Sequence, residues 1–126
     1  MIMNAESIRQ RVRDLYHRRR QLIEDALRPL PMVVGYLFQM RRRCGQPGCR
    51  CTRGRLHVSW YLSRRVTGKT KLSYLGRIIP DWLAPRVRRY RDFQRALASV
   101  RKIDREISSL LSKLREQKAR TLEDGP

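Results

Sequence analysis

A chain of 126 residues holds material for about one small domain. It carries 30 Lys and Arg against 11 Asp and Glu, a formal charge of +19, and 25 of the cations are arginine, so a polyanion is the default partner. The longest apolar stretch, Leu30 to Met40, is interrupted by Pro31, Gly35 and Gln39 and is too short to span a bilayer, which sets membrane classes aside.

Residues 5 to 28 read as a helix. Ile8, Val12, Leu15, Leu22, Ile23 and Ala26 recur at three- and four-residue steps broken only at Arg19. Ser7 with Gln10 forms a capping-box pattern, and Asn4 is an alternative cap. Arg28-Pro29-Leu30-Pro31 should end it, since proline lacks the amide donor and disfavours helix in the residue before it. From 32 to 80 the pattern becomes β and loop. Met32 to Met40 suits a buried strand, and His57 to Val66 and Thr70 to Ile79 flank a Thr67-Gly68-Lys69 turn as a hairpin. From 85 to 118 a second helix is expected, capped by Asp81 or Ala84 and tolerating Pro85 in its first turn. Its apolar residues run Leu83, Val87, Tyr90, Phe93, Leu97, Val100, Ile103, Ile107, Leu110 and Leu114, about 3.4 residues per step and close to a coiled-coil seam. The tail, 121–126, should fray. The fold class expected is α+β: a small zinc-stapled antiparallel sheet of about three strands, flanked by an N-terminal helix and a long C-terminal coiled-coil-like helix. The expected division is 1–31, 32–80, 81–120 and 121–126.

At 1.5 Å per residue the first helix reaches about 36 Å and the second about 51 Å, so one covers only part of the other. The stripe of Val100, Ile103, Ile107, Leu110 and Leu114 is expected to need further cover, a homo-oligomer being the simplest. The alternative is that the first helix folds back along this half while Leu83 to Phe93 packs on the sheet.

Charge is placed unevenly. Residues 26–80 contain ten Arg, two Lys and no acid, whereas both helices mix signs. Mixed signs suit a solvated helix face. Twelve cations without a counter-charge repel one another and call for an anionic ligand.

The run Cys44-Gly45-Gln46-Pro47-Gly48-Cys49-Arg50-Cys51, followed by His57, supplies three thiolates and one imidazole, a closed tetrahedral set for structural zinc. Gly and Pro let the backbone turn sharply, and Arg43, Arg50 and Arg53 favour the thiolate form. A short chain with little core also gains from a metal staple. The competing readings are three reduced, partly buried cysteines beside an unrelated histidine, or a redox role; His17 is a fallback fourth ligand. With Met1 to Glu6 lacking a signal core and the cysteines odd in number, the cytoplasm is the expected compartment.

This loop, with Gly54, His57 and Trp60-Tyr61-Leu62, resembles a small uncharacterised prokaryotic family found on mobile elements. That family's pattern reads C-G-K-P-x-C-x-C, then H-G-P-Y-Y, then a hairpin and a long helix. The resemblance spans Arg41 to Arg89 and departs from the pattern at Gln46 and at Val58-Ser59. It implies a metal-site β domain and a mobile-element setting, and no established activity.

Catalysis is not expected. The basic middle has no carboxylates to hold catalytic metals, Gly68-Lys69-Thr70 lacks the upstream glycine of a phosphate loop, and four ligands leave zinc no open position. Tyr61 or Tyr74 could serve as a nucleophile, but a recombinase domain would be far larger. Nucleic-acid binding is the leading expectation, DNA before RNA. Trp60, Tyr61 and Tyr74 interleave with hairpin cations, which suits base stacking with phosphate contacts. Neighbours Trp60 and Tyr61 face opposite ways, so one of them belongs to the core. The candidate interface is Arg41, Arg42, Arg43, Arg50, Arg53, Arg55, Trp60, Arg64, Arg65, Lys69, Lys71 and Arg77. The alternative function is a coiled-coil assembly adaptor whose basic middle docks on an acidic partner or a ribonucleoprotein.

Overall fold

A computed structural model describes residues 3–126, and Asn4 opens its first helix. The Asn4 side chain accepts from the Ser7 backbone N–H at 2.8 Å, so the alternative cap is the one used. This helix, α1, spans Ala5–Ala26 and closes before Pro29. The strands are β1 (Tyr36–Arg42), β2 (His57–Val66) and β3 (Lys69–Gly76), and the last helix, α2, spans Leu83–Lys118. Short 3-10 turns lie at Arg50–Arg53 and Leu122–Asp124. The fold is therefore α+β, two helices with a three-stranded antiparallel sheet. Among the described residues, no helix is long and apolar enough to cross a membrane.

The chain forms two compact units. One comprises the residues up to Pro29 with Gln94–Pro126, and the other is Leu30–Phe93.

In the helical unit, Ile8 and Leu15 of α1 bury against Ile103 and Leu110 of α2, and Val12, Leu22, Ile107 and Leu114 pack around them. The helices run antiparallel, as the ties Met3–Gln117, Arg11–Glu106 and Arg19–Asp104 show. The ion pairs, at 3.0 and 2.6 Å, are exposed and set register more than stability. Much of the stripe expected to need a second copy is thus covered within the chain. The first helix does fold back along this half of α2, so the seam expected to be coiled-coil-like pairs with α1 within the chain. At the end of the chain, Thr121 and Asp124 cap each other through a 2.8 Å bond from the Thr121 N–H.

In the sheet unit the order is β1-β2-β3. The hairpin turns through Thr67 and Gly68, both with positive φ (50° and 79°), the twist that suits a two-residue hairpin loop. Lys69 is consequently in β3 rather than in the turn. The first strand differs from expectation in its start and its burial. Gly35, at φ 135°, interrupts the apolar run, and a Cβ there would meet the Ser63 carbonyl oxygen at 2.7 Å. Residues 32–34 instead lie beside α2, where the Val33 N–H donates to the Arg86 carbonyl oxygen at 3.1 Å. β1 itself is at most half-buried, with Tyr36 62% exposed. β3 stops at Gly76, leaving Ile78 in solvent. Leu83 and Val87, one turn apart at the start of α2, are buried.

Candidate metal centre

The β1–β2 register places Arg42 opposite His57. Cys44, two residues beyond β1, and His57, the first residue of β2, are therefore brought together by the sheet before any ligand acts. The intervening loop folds back through Gly48 at φ 80°, a conformation that favours glycine. Cys49 then caps the 3-10 turn, and its carbonyl oxygen accepts from the Thr52 backbone N–H at 3.0 Å and from the Thr52 hydroxyl at 2.6 Å. That turn aims Cys49 and Cys51 at the same point.

The ligand atoms of Cys44, Cys49, Cys51 and His57 all lie within 4.8 Å of one another. Cys44 Sγ is 3.5 Å from Cys51 Sγ, and Cys49 Sγ is 3.3 Å from His57 Nε2. A tetrahedral zinc with ordinary bond lengths needs edges of about 3.8 Å between sulfurs and about 3.6 Å from sulfur to nitrogen. These two edges lie within about 0.3 Å of those values, and a spread of no more than 4.8 Å leaves the four atoms close enough to hold one metal ion. A disulfide would need sulfurs about 2.05 Å apart, and all three cysteines are free thiols. His17, the other candidate fourth ligand, is exposed in α1 and is not in the group.

The thiols are unequal. The Cys51 backbone N–H, with help from the His57 ring and the other two thiols, lowers Cys49 to about 6. For Cys44 the Gln46 backbone pulls the same way, but hydrogen bonds to Cys51 and Cys49 and partial desolvation together push it up. Cys51 is fully buried and its sulfur accepts from the Cys44 N–H at 3.4 Å. Backbone donors aimed at sulfur favour the charged thiolate that a metal requires.

All eleven cations of the candidate interface are exposed. Arg43, Arg50, Arg53 and Arg55 belong to the loop between β1 and β2 that carries the metal ligands. The register divides the rest between the two faces of the sheet: Arg42 and Arg65 on one, Arg41, Arg64, Lys69 and Lys71 on the other, with Arg77 just past β3. Trp60 is half-buried on the face of Arg41 and Arg64, while Tyr61 and Tyr74 lie on the face of Arg42. Sequence reasoning missed two members of that second face, Tyr36 and Phe38, because a continuous apolar run reads as a buried strand. Their i, i+2 spacing was the available signal.

A family model described as a domain of unknown function, DUF6788, matches residues 12–84, more than half of the chain. The chain belongs to this family. The DUF6788 match takes in most of α1, the metal loop and all three strands, and ends at the second residue of α2. That it is a family without an assigned activity agrees with the resemblance carried by the Cys44–His57 loop. No curated protein matches the chain, and no solved structure matches it.

Proposed function

We propose that this chain is a non-catalytic nucleic-acid-binding protein with a structural zinc site, acting as an accessory or regulatory factor of a mobile element. One observation carries the reading. Among the described residues, no salt bridge reaches any cation from Arg41 to Lys71 or Arg77. The cost is sharpest where Arg64 stands directly opposite Lys71, because like charges in a cross-strand pair are destabilising. A phosphate backbone removes that repulsion, and arginine suits it through paired N–H contacts.

Zinc follows from the donor set. Three thiolates and an imidazole within 4.8 Å of one another suit zinc, and four protein ligands would leave it no open position for a reacting water. When bound, zinc supplies folding energy to the segment 43–56, whose hydrogen bonds are few and local. The mobile-element setting comes from the resemblance of the loop.

The adaptor reading has less to stand on, since α1 covers much of the apolar stripe of α2 that a helical partner would use. Titrating the zinc-loaded protein with duplex DNA, single-stranded DNA and RNA at about 50 and 200 mM salt separates the two. A binder with six or more phosphate contacts loses on the order of a thousandfold in affinity between those salts. Negligible affinity for all three polymers at the lower salt leaves the adaptor as the better account.

A further inference from the structure

One feature of the sheet unit takes no part in the metal centre. Tyr36 and Phe38 of β1, Tyr61 of β2 and Tyr74 of β3 form a row across all three strands, with successive ring centroids 6.0, 5.9 and 5.5 Å apart. The first three rings are near-parallel, at 18° and 23°, and Tyr74 is turned 68° from Tyr61. A row of this kind is ordinarily core. Here it ends in solvent at both sides, with Tyr36 62% and Tyr74 66% exposed.

Charge on the same face defines the occupant. Arg42 lies over the Tyr61 ring at 5.4 Å, Arg65 is further along the same side of β2, and the whole segment 26–80 lacks an acid. Flat rings rimmed by guanidinium groups match flat bases on a phosphate chain. Duplex bases are paired and stacked inside the helix, so these ring faces can meet only unpaired bases.

From this juxtaposition we infer that the Tyr36–Phe38–Tyr61–Tyr74 face is a stacking platform for single-stranded nucleic acid. Tyr36 and Tyr74 supply the outer base contacts, and Arg42 and Arg65 reach the backbone beside them. This deepens the nucleic-acid reading above and rests on it.

The test uses the zinc-loaded full chain, with labelled oligo-dT, oligo-U and a DNA duplex as probes, each about 12 units long to fill one platform. Tyr36→Ala and Tyr74→Ala are the variants, Tyr36→Phe and Tyr74→Phe restore the ring, and zinc content reports folding. Each alanine lowers single-strand affinity about tenfold, leaves duplex affinity unchanged, and is rescued by phenylalanine. Comparing oligo-dT with oligo-U decides between DNA and RNA. If the alanine variants bind single strands as the parent does while a triple Arg41, Arg42 and Arg43 to Ala variant weakens every probe, the platform is wrong and the nucleic-acid reading stands. Equal losses on duplex and single strands also overturn stacking. A parent that binds no probe overturns the reading and the platform together. Photo-cross-linking with a 5-iodouracil oligonucleotide needs no variant: adducts at Tyr36 or Tyr74 support the platform, and adducts confined to Trp60 on the opposite face refute it.

Discussion

Arg42 faces His57 across the β1–β2 pair, and its guanidinium rests 5.4 Å from the centre of the Tyr61 ring. The metal loop and the aromatic face therefore share one strand register. A ligand held at the start of β2 fixes the same alignment that lays Phe38 beside Tyr61. Loss of the metal should loosen the sheet end and the surface beside it, not the loop alone.

Metal content is expected at about one zinc per chain, and Cys49→Ser is expected to remove it. Hydrogen exchange should then accelerate across residues 41–66 while the α1–α2 pair keeps its protection, because the two lie in separate compact units. Unchanged exchange and melting after exhaustive chelation of a fully folded sample would show that the cluster binds nothing of structural value.

Thiol reactivity should depend on pH in a residue-specific order. In metal-free protein Cys49 is a thiolate above about 6 and loses that charge as the pH falls below it. Its alkylation should therefore switch on near pH 6, with Cys44 following at higher pH because its thiol is pushed up. Buried Cys51 should react last, and zinc should protect all three. Mass-spectrometric mapping of the alkylated sites against pH checks the order.

Changing Arg41, Arg42 and Arg43 together to Ala should weaken binding across sequences rather than at one site. The slope of log affinity against log salt should flatten by up to about 3, since each lost phosphate contact removes about 0.7–0.9. An unchanged slope in filter or anisotropy titrations places the contact surface elsewhere.

Gly35→Ala tests the sheet without touching a metal ligand. Its Cβ would sit 2.7 Å from the Ser63 carbonyl oxygen and 2.9 Å from Leu62 Cδ1, and φ 135° is strained for alanine. A loss of about 1–3 kcal/mol is expected for such overpacking, with weakened zinc retention as a consequence. By contrast, Ile8→Ala, at a fully buried position of the helical core, should cost about 2–5 kcal/mol and leave the metal bound. Thermal melts with parallel zinc assays distinguish the two.

The sequence showed what is local. Cys44, Cys49, Cys51 and His57 fall within fourteen residues, so their spacing alone proposed the cluster that the loop then assembles. The long period of α2 and the hairpin around Gly68 were legible for the same reason. Which way Trp60 and Tyr61 point was not, because strand parity has meaning only once a partner strand sets the register. Met32 to Met40 misled because an apolar run does not say whether both faces are covered; the face bearing Tyr36 is open. Helix lengths correctly gave partial cover of α2 by α1. They could not say which half, and the match of Ile8 and Leu15 to Ile103 and Leu110 decided it.

The most direct test of the central claim is an amide chemical-shift map of the zinc-loaded protein titrated with a short single-stranded oligonucleotide. The account predicts shifts concentrated in β1 from Tyr36 through Arg43, the loop around Arg50–Arg55 and the β2–β3 hairpin, with the α1–α2 core unmoved. Shifts confined to the helices, or none at low salt with the metal in place, would contradict it.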